Sequence, residues 1–314
     1  MYQIRPARDA DLDQVLTLLE RLQSMPEHHI GYHGETRAEL TEELTEMHWP
    51  AATLLAVDDA DRVHGVLTAE TDVKLGRVWW HGPFVDVPAD HPAADRIWDR
   101  TADALYEQAR ELPDLRDIAD SELFGDVAHR RLAQFALRHG YGDGTYTSVV
   151  ALDGVDLVRM IGSVPDSVDG VEIQEFPTPP TDSVAAAALI RLHDECFPNT
   201  YLSAAQLLSD EGDRTLVVAT AGGRVVGYAV GRVQQLEYYL DFVAVATDFR
   251  GRGIAGPLIT LLVQRLADRL GERPKVIATV FGTNTSSQRM LGKLGFRPFL
   301  EMVGYRLRVQ RLVA

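Results

Sequence analysis

The chain has 314 residues, 46% hydrophobic and 25% charged, with a formal net charge of −15. That length is long for one hydrophobic core and comfortable for two domains, and the composition is that of an ordinary soluble globular protein. The acidic balance argues against general nucleic-acid binding, which needs a basic footprint, and the single cysteine, Cys196, leaves neither an intrachain disulfide nor a cysteine-based metal site. No apolar run is long enough for a membrane span, and the opening Met1-Tyr2-Gln3-Ile4-Arg5-Pro6 carries no basic-then-apolar export signal. The expectation is a cytoplasmic protein, monomer or homodimer, with no metal, nucleic-acid or membrane partner.

In chain order, Glu27-His28-His29 with His33 matches no standard helical zinc pair and reads as a His-rich surface loop. Thr53-Leu54-Leu55-Ala56-Val57 and Arg62-Val63-His64-Gly65 flank an acidic turn and read as a β-hairpin. Trp79-Trp80-His81 lies on the next strand. Neighbouring strand residues face opposite sides, so one tryptophan is expected in the core and the other at an interface. After Phe84-Val85-Asp86-Val87 comes Pro88-Ala89-Asp90-His91-Pro92-Ala93-Ala94-Asp95, which has no glycine and two aspartates. A helix then ends at Arg138-His139-Gly140-Tyr141. Asp153-Gly154 closes this half, and 164–170 is turn-rich. The reading is a domain over 1–152, a linker over 153–170 and a second domain over 171–314.

The second half predicts helices over 183–197 and 203–209, then strands over 215–219, 224–232 and 236–246. Cys196 shares an apolar helix with Leu189, Leu192 and Phe197 and reads as packing. A long helix over 253–270 follows, with Ile254, Leu258, Leu261, Leu262, Leu266 and Leu270 at helical spacing. Pro257 falls in its first turn, where a missing N–H costs little, and Gly271 stops it. A strand over 275–281, a helix over 285–294 and a strand over 299–309 complete an α/β design, helices on a mixed sheet. The hairpin at 53–65 recurs at an offset of 162 as Thr215-Leu216-Val217-Val218-Ala219 and Arg224-Val225-Val226-Gly227. Phe84-Val85-Asp86-Val87 parallels Phe242-Val243-Ala244-Val245, and His139-Gly140-Tyr141 parallels Leu294-Gly295-Phe296. Strand, strand, strand, helix, strand, helix, strand therefore occurs twice.

One stretch carries the chemistry. The strand Tyr239-Leu240-Asp241-Phe242-Val243-Ala244-Val245 feeds Arg250-Gly251-Arg252-Gly253-Ile254-Ala255-Gly256, which opens the long helix. Unpaired N–H groups and the dipole at a helix start suit a pyrophosphate, and glycines let the backbone approach it. The spacing fits neither a Walker loop nor a dinucleotide fingerprint. From Asp248 onward, twelve Lys/Arg stand against four Asp/Glu, a local excess that would suit an anionic cofactor in an acidic protein.

This stretch resembles motif A of the GNAT acyltransferase superfamily, Arg/Gln-x-x-Gly-x-Gly/Ala, with Arg250, Gly253 and Ala255 in the pattern positions. A second landmark, an Asn opening a helix that ends in Gly-Phe, is matched by Asn284 and Gly295-Phe296. The resemblance covers about residues 171–310 well and the first half in outline. It implies two tandem GNAT-like folds, the first degenerate and without a coenzyme A loop, where His129 stands in the place of Asn284. It further implies acetyl-coenzyme A as co-substrate and transfer of its acetyl group to a primary amine of a small molecule by direct attack. A peptide or protein amine is an alternative acceptor, and a non-catalytic acyl-coenzyme A sensor an alternative role.

By the same resemblance, the backbone N–H of Val243 meets the acyl carbonyl and Val245 pairs with the pantetheine arm. Residues 252–256 receive the pyrophosphate, and Asn284 lies beside the pantetheine or the departing sulfur. Many relatives carry a tyrosine acid seven residues after the Asn; here that position is Leu291. Tyr239, Tyr238 and Tyr305 are the candidate replacements. Asp241 shares strand parity with Val243 and Val245 and is preferred to Glu237 as the base, although an amine arriving neutral needs none. Acceptor contacts are expected from 25–41 and 199–209.

Overall fold

The computed structural model describes residues 2–31, 33–73, 75–88, 90–115, 118–180, 182–198, 200–209, 213–234 and 236–308. The elements in chain order are β1 (Gln3–Pro6), α1 (Leu12–Gln23), α2 (Arg37–Glu46), β2 (Thr53–Val57), β3 (Val63–Asp72), β4 (Arg77–Val85), α3 (Ala94–Ala109), β5 (Asp120–Asp126), α4 (Arg130–Arg138) and β6 (Thr145–Asp153). They continue as α5 (Gly154–Gly162), β7 (Glu172–Glu175), α6 (Ser183–Cys196), α7 (Ala204–Leu207), β8 (Thr215–Ala221), β9 (Arg224–Val233), β10 (Glu237–Val245), α8 (Ala255–Leu270), β11 (Lys275–Phe281), α9 (Thr285–Lys293) and β12 (Arg297–Arg308). The repeated element order is therefore real. Val309, expected to end the last strand, lies outside the described residues.

Two compact units result: Met1–Thr147 with Glu301–Ala314, and Ser148–Leu300. The first unit orders its strands β1-β2-β3-β4-β5-β12, and the second β6-β11-β10-β9-β8-β7. This division departs from a linker over 153–170 and a second domain running to 314. Residues 154–162 are helix α5, whose Leu157 and Met160 enter the second unit's core. The Gln264 amide of α8 fastens its end, donating to the carbonyls of Met160, Ile161 and Ser163 at 3.2, 3.1 and 2.7 Å. At the other end of the chain, β12 runs antiparallel to β5 from Met302↔Asp126 to Arg308↔Asp120. Turn composition marks where a chain bends. Which sheet a terminal strand joins is set by pairing with residues far away in sequence, and no local pattern encodes it.

In the second unit, helices cover both faces of the sheet. Leu258, Leu262 and Leu266 of α8 are fully buried against Val217, Val226 and Tyr238. Each such side chain contributes roughly 1.5–3 kcal/mol by leaving water. Leu189 and Leu192 of α6 pack on the other face with Leu216, Tyr228 and Phe242. Gly231 permits the close seat of α8: a Cβ there would lie 2.5 Å from the Tyr239 carbonyl oxygen and 3.3 Å from Leu262. Among the described residues, no helix is long and apolar enough to cross a membrane and no group of His, Cys, Asp and Glu is arranged to hold a metal ion.

Candidate active site

The second unit's sheet contains a divergence. Strands β10 and β11 pair in parallel only from Glu237↔Lys275 to Leu240↔Ala278. Beyond that point β10 continues to Val245 and β11 to Phe281 with no ladder between them. On its other edge β10 stays paired to β9, with a register shift between Leu240 and Phe242. The Ala246 N–H donates to the Val226 carbonyl on that edge at 2.8 Å. Successive backbone groups point to opposite edges of a strand, so the N–H groups of Val243 and Val245 face the divergence. The carbonyl of Val245 accepts from Arg250 Nε at 3.0 Å.

The register shift overturns the parity argument for Asp241. Before it, Tyr238 and Leu240 face the core under α8; after it, Val243 and Val245 do, and Phe242 and Ala244 face α6. Asp241 does not share the face of Val243 and Val245. Its Oδ1 accepts from the Tyr201 hydroxyl at 2.6 Å, and the Tyr201 ring stacks on Phe242. A β-bulge places two consecutive side chains on one side, an insertion that strict alternation misses.

The basic turn follows as expected. Gly251 and Gly253 have φ of 79° and 82°, the left-handed region that favours glycine. An added Cβ at either would meet no atom within 4 Å, so conformation and clear space, not packing, select glycine. Helix α8 starts at Ala255, two residues later than expected, because Gly253 holds that left-handed turn. Ile254 gives α8 no side-chain cap, whereas Asp182, Ser203 and Asn284 cap α6, α7 and α9. The first N–H groups of α8 are thus left for an anion. The guanidinium groups of Arg224 and Arg252 lie over the Phe249 ring, 5.1 and 4.5 Å from its centre. Arg252 also donates to the Asp248 carbonyl at 3.2 Å.

The remaining candidates separate by location. The Tyr239 hydroxyl is 3.1 Å from Thr279 Oγ1; Tyr239 is still partnered with Ile277 and Thr279 is the first β11 residue past the ladder, so their contact lies at the mouth of the divergence. Burial pushes the Tyr239 phenol up, and the Asp241 charge adds to that. Tyr238 is structural: its hydroxyl donates to the Gly271 carbonyl at 2.8 Å and accepts from the Arg273 N–H at 3.0 Å. Tyr305 belongs to the first unit and packs on its core. Glu237 pairs with Lys275 at 3.1 Å. The Asn284 amide oxygen accepts the Ser287 N–H at 3.1 Å, and Leu291 is buried in the core. Cys196 is half-buried, its thiol pushed up by burial and its sulfur 3.8 Å from Arg250. Sequence reasoning missed Arg214, Arg232 and Thr279. The only hint at Arg232 is a charge closing the apolar run of β9. Tyr201 lies within 199–209, expected to contact the acceptor; Asn199 of that segment lies outside the described residues.

The first unit repeats the divergence and fills it with its own chain. Strands β4 and β5 pair only from Arg77↔Asp120 to Trp80↔Leu123. On the edge of β5 thus released, Ile30 bridges Gly125, the Gly31 N–H donates to the Phe124 carbonyl at 2.7 Å, and the Asp126 N–H donates to the His29 carbonyl at 3.0 Å. The ring of His33 lies 4.5 Å from that of His81 on β4. The Gln23 amide fixes the segment from behind, donating to the Ile30 carbonyl at 2.6 Å and accepting its N–H at 3.0 Å. His28, His29 and His33 are therefore buried, not a surface loop, because they belong to an inserted strand-like segment. Tyr32 lies outside the described residues. Trp80 is core, while Trp79 is half-buried under Arg77.

The second unit thus joins a divergence of two parallel strands to an uncapped helix that follows a glycine turn. Residues 186–296, within the second unit, match the model of the acetyltransferase (GNAT) family. A GCN5-related N-acetyltransferase from Sphaerobacter thermophilus superimposes with a TM-score of 0.71 at 16% identity, covering 98% of this chain and 95% of that one. A tandem GNAT protein from the clavulanic acid biosynthesis pathway gives 0.67 at 16% identity, covering 98% of each chain. The whole chain thus has the tandem GNAT fold. In sequence it is similar to a mycothiol acetyltransferase from Corynebacterium aurimucosum, 26% identical over 175 residues, which are 47% of this chain and 55% of that protein.

Proposed function

We propose that the second unit is an N-acetyltransferase that moves the acetyl group of acetyl-coenzyme A to a primary amine of a small molecule. The observation that carries this reading is the divergence of β10 from β11, ending in the glycine turn and uncapped start of α8. The N–H groups of Val243 and Val245 supply a strand edge for the pantetheine arm. Residues 252–256 would hold the pyrophosphate on backbone donors, with Arg250 and Arg252 at the rim. The similarity to a mycothiol acetyltransferase supports acetyl transfer.

Acetyl-coenzyme A supplies an acetyl group activated as a thioester. The acceptor's neutral nitrogen attacks the carbonyl carbon, the carbon–nitrogen bond forms and the carbon–sulfur bond breaks. The Val243 N–H donates to the carbonyl oxygen as negative charge builds there. Tyr239, held by Thr279, gives its proton to the departing sulfur, and the surplus proton of the new amide nitrogen passes through water back to the Tyr239 phenolate. Asp241 is not needed as a base for an amine that arrives neutral; it holds Tyr201 in place. Asn284 caps α9 and so fixes the far side of the cofactor slot.

The test is thiol release from acetyl-coenzyme A with a panel of small amines, where the expected result is amine-dependent turnover well above hydrolysis. A flat panel with tight acetyl-coenzyme A binding would favour a sensor and end the enzyme reading. Gly253→Glu should abolish acetyl-coenzyme A binding in calorimetry while the far-ultraviolet circular dichroism spectrum stays that of the parent. Near-normal affinity in that variant would sink the site assignment.

A further inference from the structure

The group around Asp241 is not explained by acetyl transfer alone. The Asp241 side chain is fully buried, with Arg214 Nε 3.5 Å from its Oδ2 and Arg232 Nε 3.8 Å from its Oδ1. Neither approach is a hydrogen bond. Arg214 Nε, Arg232 Nε and Asp241 Oδ2 are buried and, among the described residues, find no hydrogen-bond partner. Buried polar atoms left in that state are costly and call for a reason. Two guanidinium groups against one carboxylate leave a local excess of one positive charge.

The position of this excess gives it a use. Arg232 lies over the Tyr239 ring, 5.3 Å from its centre, and Tyr239 meets Thr279 at the mouth of the divergence. The β10 bulge turns Asp241 to the α6 side of the sheet, away from Val243 and Val245. Arg214 also lines a cavity of about 460 Å³ together with Glu175, Asp213 and Arg269. Part of the Arg232 side chain is exposed.

We infer that Arg214 and Arg232 bind an anionic group of the acceptor, so that the acceptor is a primary amine bearing a carboxylate, as in an amino acid. Asp241 is a positioning residue that aims both guanidinium groups without saturating them. A guanidinium donates to a carboxylate through paired N–H groups, and such charge-assisted bonds are worth about twice neutral ones. The inference rests on the acetyltransferase reading, which it makes more specific.

The experiment compares matched pairs, each an amino acid and the amine left on removing its carboxylate. For the parent protein, kcat/KM should favour the amino acid by about tenfold or more. In Arg232→Gln that ratio should collapse toward one, and Arg232→Lys should restore part of it. A merely structural arginine would lower both members alike and leave the ratio where it was, which would overturn the inference, as would a parent that prefers the decarboxylated amine. A second measurement does not depend on turnover: calorimetry with N-acetylated amino acids in the presence of coenzyme A. Binding by the parent and its loss in Arg232→Gln supports the anion site even if no amine is acetylated, in which case only the enzyme reading fails. Equal affinity in parent and variant rejects the site.

Discussion

At the scale of single residues, Tyr239 and Asp241 divide between chemistry and support. In the proposed reaction Tyr239 takes the part of the acid, since Leu291 is core packing. Its phenol is pushed up by burial and by Asp241, so it remains a proton donor through neutral and mildly alkaline pH. Tyr239→Phe is expected to lower kcat by about 10²-fold or less, at the low end for general acid catalysis, because a thiol of pKa near ~8.5 is already a fair leaving group. The affinity for acetyl-coenzyme A should not change. An unaltered kcat would remove Tyr239 from the reaction and leave the thiolate to depart unassisted. Asp241→Ala should act instead on stability. It strips the shared carboxylate from two mostly buried guanidinium groups and should cost about 3 kcal/mol, read by urea unfolding.

At the scale of elements, the equivalent helix starts of the two units are capped by different chemistry. In the second unit the Asn284 side chain caps α9; in the first, His129 Nδ1 accepts the Leu132 N–H at 3.2 Å at the start of α4. Burial, aided by His28 and Arg131, pushes His129 down to about 3. The unfolded chain therefore takes up a proton near pH 6.5 that the folded unit refuses. The stability from neutral His129 is fully present above pH 6.5 and is lost as pH falls from there toward 3. His129→Asn keeps a cap and removes the titration, so the fall in Tm between pH 7.5 and pH 5 should shrink. An undiminished fall would assign that sensitivity to other groups. The inserted segment of the first unit is equally specific, since a Cβ on Gly31 would lie 2.0 Å from Phe124 Cδ1. Sequence periodicity revealed the strands and helices themselves, and the glycine turn with Asn284…Gly295-Phe296 pointed to the stretch proposed to hold the cofactor. The bulge at Asp241, the inserted strand at 29–31 and the pairing of β12 with β5 escaped it. Each is fixed by contacts distant in sequence, and the bulge also breaks the local alternation by which strands are read.

At the scale of the whole molecule, the two units share a sheet plan and differ at the divergence and at the turn that follows it. In the second unit the released strand edges carry the N–H groups of Val243 and Val245, and among the described residues no segment bridges them. In the first unit the released edge of β5, the counterpart of β11, is bonded to 29–31, and Pro88–Asp95 has no glycine where the second unit has Gly251 and Gly253. A cofactor arm entering the first unit would have to displace buried Ile30 and break its bonds to Gln23. Removing that side chain from the core costs about 2 kcal/mol before any backbone bond is lost. The chain should therefore bind one acetyl-coenzyme A, not two. Calorimetry on the intact protein is expected to give a stoichiometry near one, falling to zero in Gly253→Glu. A stoichiometry near two, or one site persisting in Gly253→Glu, would mean that the inserted segment yields to the cofactor and that the first unit also takes it up.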